Sequence, residues 1–123
     1  MNGLRVVVVE DDVWLGQHFE RTLISEGYDV KVVSHALDAI EVIDTKIPDV
    51  IVLDVLLTAT TGFALLHELQ SYDDTARIPV VLCTNLADSF RLEDVAPYGV
   101  RRILDKTTML PEDLVAAVRS STL

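Results

Sequence analysis

The chain has 123 residues, of which 50% are hydrophobic and 24% are charged. This length and composition predict one compact domain that buries roughly two thirds of the surface exposed by its unfolded form. The formal net charge of −10 argues against direct nucleic-acid binding, because such domains usually carry a basic face. One cysteine cannot form an internal disulfide, and no apolar stretch approaches the length of a membrane span. We therefore expect a cytoplasmic protein without membrane insertion.

Five short apolar runs predict buried strands, and a segment with helical spacing follows each of them. The predicted strands are residues 4–9, 30–33, 50–53, 80–83 and 100–104. The predicted helices are residues 13–26, residues 36–45, a helix from about Gly62, a weaker helix over residues 86–96, and residues 111–119. Gly27 is expected to end the first helix and Ser34 to cap the second.

This repeated β-α pattern, with short connections, predicts an α/β fold. Alternating strands and helices require a parallel sheet with right-handed crossovers and helices on both faces. We therefore expect a doubly wound, five-stranded parallel sheet. No linker or low-complexity segment interrupts the pattern, so residues 1–123 are expected to form a single domain.

Reactive side chains stand at the ends of four predicted strands: Glu10, Asp11 and Asp12, then Asp54, Thr84 and Lys106. The carboxyl ends of parallel strands meet at one edge of a sheet, where ligands bind. Asp54 follows an apolar run in which an ionised carboxylate would be costly, so we expect it at the strand tip, facing a cleft. Taken alone, Asp54 could equally cap the next loop.

Several carboxylates at one point repel each other unless a cation joins them, and hard oxygen ligands of this kind suit Mg²⁺. A carboxylate beside Mg²⁺ can attack a phosphoryl group and form an aspartyl-phosphate. A lysine and a hydroxyl would then stabilise the phosphoryl oxygens. The residue types therefore predict magnesium-assisted phosphoryl chemistry.

The chain resembles the receiver domain of two-component response regulators over essentially all of its length. The resemblance implies a flavodoxin-like sheet of order 2-1-3-4-5. It also implies that Asp54 is the phosphoacceptor, that Thr84 is the switch hydroxyl, and that Lys106 pairs with the phosphoryl group. Gly62 falls eight residues after Asp54, as the glycine of the family does.

The resemblance also implies a magnesium site. Asp11 would be a direct ligand, Glu10 would act through water, and Asp54 and the backbone carbonyl of Leu56 would complete the protein ligands. Asp12 would be a flanking residue of variable identity, because the spacing from Asp11 to the glycine after the first helix fits the family.

Four positions depart from the usual pattern of the family. Thr58 stands in place of a proline four residues after the acceptor, and Asn85 replaces the small residue after the switch hydroxyl. Ile103 replaces the aromatic side chain that often reports activation, and Thr107 replaces the proline after the lysine, where a cis bond is typical. A cis bond before a non-proline residue costs about 2.5–4 kcal/mol. We expect the phosphoryl chemistry to be retained and the output coupling to differ.

The function implied is a stand-alone signalling domain that supports its own phosphotransfer and dephosphorylation, rather than an enzyme. Its partner would be a sensor histidine kinase or a histidine phosphotransfer protein. One alternative is a pseudoreceiver that binds partners without being phosphorylated. Another is an aspartyl-phosphate phosphohydrolase, which would resemble the haloacid dehalogenase type. That type carries a second aspartate where this chain has Leu56.

Trp14, beside the first acidic cluster, is either an exposed anchor for the histidine-bearing partner or a cover for the edge of the core. Cys83 lies in an apolar run and is expected in the core. The three histidines, His18, His35 and His67, have no metal-like spacing and are expected near the surface.

Overall fold

The computed structural model describes residues 3–57 and 60–123. The long strands are β1 (Arg5–Val9), β2 (Asp29–Val33), β3 (Val50–Leu53), β6 (Val80–Thr84) and β7 (Val100–Asp105). Two short strands, β4 (Leu56–Leu57) and β5 (Thr60–Thr61), pair antiparallel after β3. The helices are α1 (Val13–Ile24), α2 (Ala36–Thr45), α3 (Gly62–Gln70), α4 (Asp73–Ala76), α5 (Leu92–Val95) and α6 (Pro111–Ser121).

The long strands form one parallel sheet of order β2-β1-β3-β6-β7 within the described residues. Counted among themselves in chain order, they give 2-1-3-4-5. The predicted fold class and strand order are therefore confirmed. This order places the ends of β1, β3 and β6 side by side at the middle of the sheet edge, which is where such folds bind ligands.

Both faces of the sheet are covered, and its three central strands, β1, β3 and β6, are buried and apolar at nearly every position. On one face Val7, Ile51 and Leu82 pack with the buried side chains of α2 and α3. On the other face Val8 and Val52 pack with α1 and α6. A strand buried on both faces leaves no place for charge within it, so the polar side chains follow at its carboxyl end.

The second helix has the predicted bounds, Ala36–Thr45, but the end of the first helix and the cap of the second differ from the prediction. α1 ends at Ile24, two residues before the predicted end, and Gly27 follows it with a φ of +90°. Ser34 does not cap α2, so that prediction is wrong. His35 occupies the capping position with an extended backbone and makes no side-chain capping bond. Ser34 therefore lies one residue too early to satisfy the free amides of the helix.

The continuous fourth helix predicted over residues 86–96 is also wrong. The segment contains a 3₁₀ turn at Ala87–Ser89, the single turn of α5, and a second 3₁₀ turn at Ala96–Tyr98. Phe90 and Arg91, which lie between the first 3₁₀ turn and α5, have extended backbones. The ring of Phe90 packs edge-on against Phe63 at 5.2 Å between centroids. This aromatic contact, together with the weak helix propensity of Asp88 and Ser89, outweighs the helical spacing of the segment.

Candidate functional site

Asp54 lies at the carboxyl end of β3 and is 5% exposed. Its backbone N–H donates to the Val9 carbonyl at 3.3 Å, which ties it to the neighbouring central strand. Its Oδ1 accepts a hydrogen bond from the Leu56 N–H at 3.1 Å. The two bonds fix both the backbone and the carboxylate plane of Asp54 at the strand tip, as the sequence predicted.

Lys106 joins the carboxylates of two strands. Its Nζ lies 2.6 Å from Asp54 Oδ2 and 2.5 Å from Glu10 Oε1, and its side chain is 10% exposed. The Lys106 N–H donates to the Thr84 carbonyl at 3.1 Å, which continues the pairing of β7 with β6. Strand pairing therefore carries the lysine to the edge where β1 and β3 deliver their acids.

The charges of this cluster depend on each other. Burial alone would lower the pKa of Lys106, but its hydrogen bonds to Asp54 and Glu10 outweigh burial and raise that pKa. Lys106 is therefore a stable ammonium at neutral pH. Burial raises the pKa of Glu10, against the opposing effect of its bond to Lys106. Glu10 thus depends on the lysine for its negative charge.

The site fits a hard divalent cation. Glu10, Asp11 and Asp54 each offer a carboxylate oxygen, and these oxygens lie within 4.8 Å of one another. Such a set of oxygen ligands suits Mg²⁺. Asp12 points elsewhere, because its Oδ1 caps α1 by accepting from the Leu15 N–H at 3.1 Å. This separation agrees with the assignment of Asp11, and not Asp12, to the cluster.

Thr84 is fully buried at the end of β6. Its Oγ1 accepts a hydrogen bond from the Leu86 N–H at 3.1 Å. An accepting hydroxyl still has its own proton to donate, so Thr84 keeps the donor that the switch role requires. That role, and the metal-ligand role of the Leu56 carbonyl, stay predictions.

Gly62 begins α3 where the helix approaches Asp54 most closely. A Cβ at position 62 would lie 2.3 Å from the Asp54 carbonyl oxygen and 2.8 Å from the Val55 Cα. The Gly62 N–H donates to the Val55 carbonyl at 2.9 Å. The spacing seen in the sequence therefore has a steric reason, since only glycine lets α3 start against the backbone of Asp54 and Val55.

The positions that depart from the family pattern are placed as follows. Thr107 follows Lys106 through a trans bond, and no cis bond occurs in the described part of the chain. Ile103 is half-buried and packs against the core below α2 and α3, while Asn85 is exposed. Thr58 lies outside the described residues.

Trp14 is 82% exposed, so it does not cover the edge of the core, and its role as an anchor for a partner stays a prediction. Cys83 is 1% exposed, and burial raises the pKa of its thiol to about 12. It is a core residue, as predicted. The three histidines are exposed on separate segments, and the carboxylate cluster found among the described residues contains none of them.

The sequence reasoning missed one residue beside the site. Asp105, at the end of β7, accepts two hydrogen bonds from Thr107, one from its N–H at 2.9 Å and one from its Oγ1 at 2.6 Å. These bonds shape the loop that carries Lys106. An Asp side chain often accepts from the backbone N–H two residues later and so forms a turn, and the Asp at this strand end could have been interpreted in that way from the sequence.

A family model described as the response regulator receiver domain matches residues 6–119. The chain belongs to this family. It is thus a receiver domain of two-component signalling, and the predicted membership is confirmed. Within the described residues, no helix of the receiver is both long enough and apolar enough to cross a membrane.

Curated relatives are longer than this receiver. The probable transcriptional regulator ycf29 of Porphyra purpurea is 27% identical over 117 residues, which cover 94% of this chain and 54% of that protein. The response regulator MprA of Mycobacterium ulcerans is 31% identical over 82 residues, which cover 67% of this chain and 34% of that protein. The chain therefore spans between a third and about half of the length of these relatives.

Solved structures share the fold at lower identity. The receiver domain of the sensor histidine kinase PA1611 from Pseudomonas aeruginosa has a TM-score of 0.86 and 22% identity, with 98% of both chains covered. That structure holds a magnesium ion coordinated in its active site cleft. The chemotaxis response regulator CheY4 of Vibrio cholerae has a TM-score of 0.84 and 22% identity, covering 98% of this chain and 99% of its own.

Proposed function

We propose that this receiver takes a phosphoryl group from a phosphohistidine partner onto Asp54 in a magnesium-dependent reaction. The observation that carries the proposal is the cluster itself. Three carboxylate oxygens lie within 4.8 Å of one another, and Lys106 Nζ lies 2.6 Å from Asp54 Oδ2. This arrangement combines a nucleophile, a metal site and a fixed cation at one point, which phosphoryl transfer requires.

In the proposed step, a carboxylate oxygen of Asp54 attacks the phosphorus atom as the phosphorus–nitrogen bond to the partner's imidazole breaks. The leaving nitrogen takes its proton from solvent, and the products are an aspartyl-phosphate and a neutral histidine. Lys106 would pair with a phosphoryl oxygen, and Thr84 would donate its hydroxyl proton to another. The chain's own donors thus receive the charge that develops during transfer.

A bound Mg²⁺, held by Asp11, Asp54 and the Leu56 carbonyl with Glu10 acting through water, would neutralise charge on the phosphoryl oxygens. The magnesium ion in the cleft of the PA1611 receiver supports this assignment. A further cation would also suit the charges of the cluster, because Lys106 pairs with both Glu10 and Asp54 and the third carboxylate, Asp11, lies beside them.

Receiver domains of response regulators are generally phosphorylated by sensor histidine kinases, and we propose a kinase or a histidine phosphotransfer protein as the donor here. Trp14 is a candidate anchor for that partner, because an exposed indole can supply much of the binding energy of an interface. We further propose that residues 1–123 form a single receiver domain that acts in the cytoplasm and signals through protein contacts.

The decisive experiment measures intact mass after incubation with acetyl phosphate and Mg²⁺. The wild-type chain should gain one phosphoryl group, and Asp54→Asn should gain none, because an amide is a far weaker nucleophile than a carboxylate. Asp44→Asn, which removes an exposed acid on α2, is the matched control and should react normally. Chelation of Mg²⁺ should stop the reaction.

The alternative functions predict different outcomes, which intact mass and an assay of phosphate release distinguish. A wild-type chain that takes no phosphoryl group would favour the pseudoreceiver. Labelling that persists in Asp54→Asn would move the acceptor elsewhere. Steady turnover of a separate phosphate ester, with no labelled protein, would favour the phosphohydrolase.

Binding of Mg²⁺ should stabilise the wild-type fold and should depend on Asp11. An ion that binds only the folded state adds about 2.7 kcal/mol at 100 times its dissociation constant. Differential scanning calorimetry with and without Mg²⁺ measures this gain as a rise in Tm, and the fluorescence of Trp14, the chain's single tryptophan, follows the titration.

Asp11→Asn should lose most of this gain, whereas Asp12→Asn should keep it. Asn caps a helix about as well as Asp, so Asp12→Asn tests the metal without removing the cap of α1. Equal loss in the two variants would contradict the assignment of Asp11 as the ligand.

A further inference from the structure

Lys106 stands at the first position of the loop that joins β7 to α6. Its ammonium must reach Glu10 and Asp54, and its backbone is fixed on one side by the hydrogen bond from its N–H to the Thr84 carbonyl at 3.1 Å. On the other side it is followed by Thr107 through a trans bond. A threonine does not restrict φ as a proline would, so something else must fix the loop here.

Asp105 supplies that restraint from both its side chain and its backbone. Its Oδ1 accepts from the Thr107 N–H at 2.9 Å and from Thr107 Oγ1 at 2.6 Å. Its carbonyl accepts from the N–H groups of Thr108 at 3.2 Å and Met109 at 2.9 Å. The four bonds close a tight turn. Lys106 lies within this turn, between Asp105 and Thr107.

The negative charge of Asp105 should by itself hinder phosphoryl transfer at this site. The site already holds three carboxylates, and a further acid at the adjoining strand end adds to the repulsion of an anionic phosphodonor. The ion-pair partners of Lys106 are Glu10 and Asp54, so Asp105 acts on the backbone of the loop. The two donors of Thr107 lower the pKa of Asp105, which keeps it ionised and accepting at neutral pH.

We propose that Asp105 is a positioning residue for phosphoryl transfer, which through its hydrogen bonds to Thr107 holds Lys106 in the geometry that receives the phosphoryl oxygen. The inference rests on the proposed function. It assigns to Asp105 no contact with the phosphoryl group. It predicts that loss of the turn slows phosphorylation and weakens the binding of a phosphoryl mimic, because both need Lys106 in place. The affinity for Mg²⁺ should not change.

The test compares four variants. Asp105→Ala removes the acceptor, and Thr107→Val removes the hydroxyl donor while keeping the N–H. Asp105→Asn removes the charge but keeps an oxygen that can accept both bonds. Asp44→Ala removes an exposed acid on α2 and is the control for net charge.

Three quantities are measured for each variant: the rate of phosphorylation by acetyl phosphate, the affinity for beryllofluoride in saturating Mg²⁺, and the affinity for Mg²⁺ alone by Trp14 fluorescence. Because small displacements of a positioned group are costly, Asp105→Ala should lower the rate and the beryllofluoride affinity by about 10-fold. Thr107→Val should show a smaller loss of the same kind. Asp105→Asn keeps the turn and loses the charge, so it should react at or somewhat above the wild-type rate. Asp44→Ala and the Mg²⁺ affinity of every variant should stay near wild type.

The sign of the effect separates positioning from charge. Removing an acid near the site should by itself speed an anionic donor, so slowing in Asp105→Ala with rescue in Asp105→Asn supports the inference. Equal slowing in Asp105→Ala and Asp105→Asn, an unchanged rate in Asp105→Ala, or a parallel loss of Mg²⁺ affinity would overturn it while the proposed function stands. A wild-type chain that takes no phosphoryl group would overturn both.

Discussion

Gly62→Ala is expected to lower the free energy of unfolding by about 2–3 kcal/mol, although alanine is the better helix former. The added methyl group would lie 2.3 Å from the Asp54 carbonyl oxygen and 2.8 Å from the Val55 Cα. Both are backbone atoms of the segment that follows β3, so α3 or that segment must shift as a whole. Urea unfolding followed by circular dichroism measures the loss.

The same shift should reach the chemistry, because the displaced residue is the proposed acceptor. A displacement of about 1 Å at a reacting group costs about 100-fold in rate, so phosphorylation of Gly62→Ala by acetyl phosphate should be strongly slowed even where the variant is folded. Gly16→Ala is the matched control. It makes the same change in another buried helical glycine, and the new methyl group would approach only side-chain atoms: the Val32 Cγ1 at 3.0 Å, and the Glu10 Cβ and Cγ at 3.9 Å, which is ordinary van der Waals contact.

A side-chain methyl can move by the few tenths of an ångström needed, so Gly16→Ala should change stability by no more than about 1 kcal/mol. If Gly62→Ala is as stable and as reactive as wild type, then α3 does not approach the backbone of Asp54 and Val55 as closely as described. Equal losses in the two variants would show that the cost is general to helical glycines rather than specific to Gly62.

Lys106→Met should destabilise the metal-free receiver by about 3 kcal/mol, because removing one partner leaves buried charges without compensation. Glu10 and Asp54 are both almost fully buried and both pair with this ammonium. Lys31→Met, which removes an exposed lysine on β2, is the control and should change stability little. Thermal unfolding in a chelating buffer measures the difference.

The loss in Lys106→Met should depend on pH and on Mg²⁺. Burial already raises the pKa of Glu10, and Lys106 opposes that rise, so the pKa of Glu10 should rise further without the lysine. A raised pKa in the folded state gives stability that is present at low pH and lost as the pH rises through it. The variant should therefore be closest to wild type near pH 5 and furthest from it near pH 8.

Mg²⁺ should stabilise Lys106→Met more than it stabilises wild type, because the ion would replace the missing positive charge among the carboxylates. A variant that is equally stable at all pH values and gains nothing extra from Mg²⁺ would contradict the charge balance described for the site.

The sheet and the site could be predicted because they depend on strong local signals. Continuous apolar runs rich in β-branched residues, such as Val50–Leu53, have few alternatives to a strand buried on both faces, and the polar residues that follow them can lie only at the edge. Asp54, Lys106, Glu10 and Asp11 then meet because parallel strands end together. The residue types and the parallel arrangement predict that these side chains share one edge of the sheet, and the order of the strands along that edge is implied by the family resemblance.

The remaining features depend on contacts that a pattern does not record. The segment over residues 86–96 has helical spacing, yet Phe90 turns inward against Phe63 and divides it into short turns. Asp12 and Asp105 look like further acids of the cluster, but both serve local turns, one capping α1 and one closing the loop after Lys106. Short-range hydrogen bonds of this kind compete with the roles that charge alone suggests.

The central claim, that Asp54 receives the phosphoryl group, is tested most directly by locating the acyl phosphate in the chain. Borohydride reduces an aspartyl-phosphate to homoserine, and peptide mass mapping then reads the converted position. After incubation with acetyl phosphate and Mg²⁺, we expect homoserine at position 54 and unchanged aspartate at positions 11, 12 and 105. Homoserine at any of those three positions, or none at position 54 in a chain whose intact mass shows the added group, would contradict the assignment.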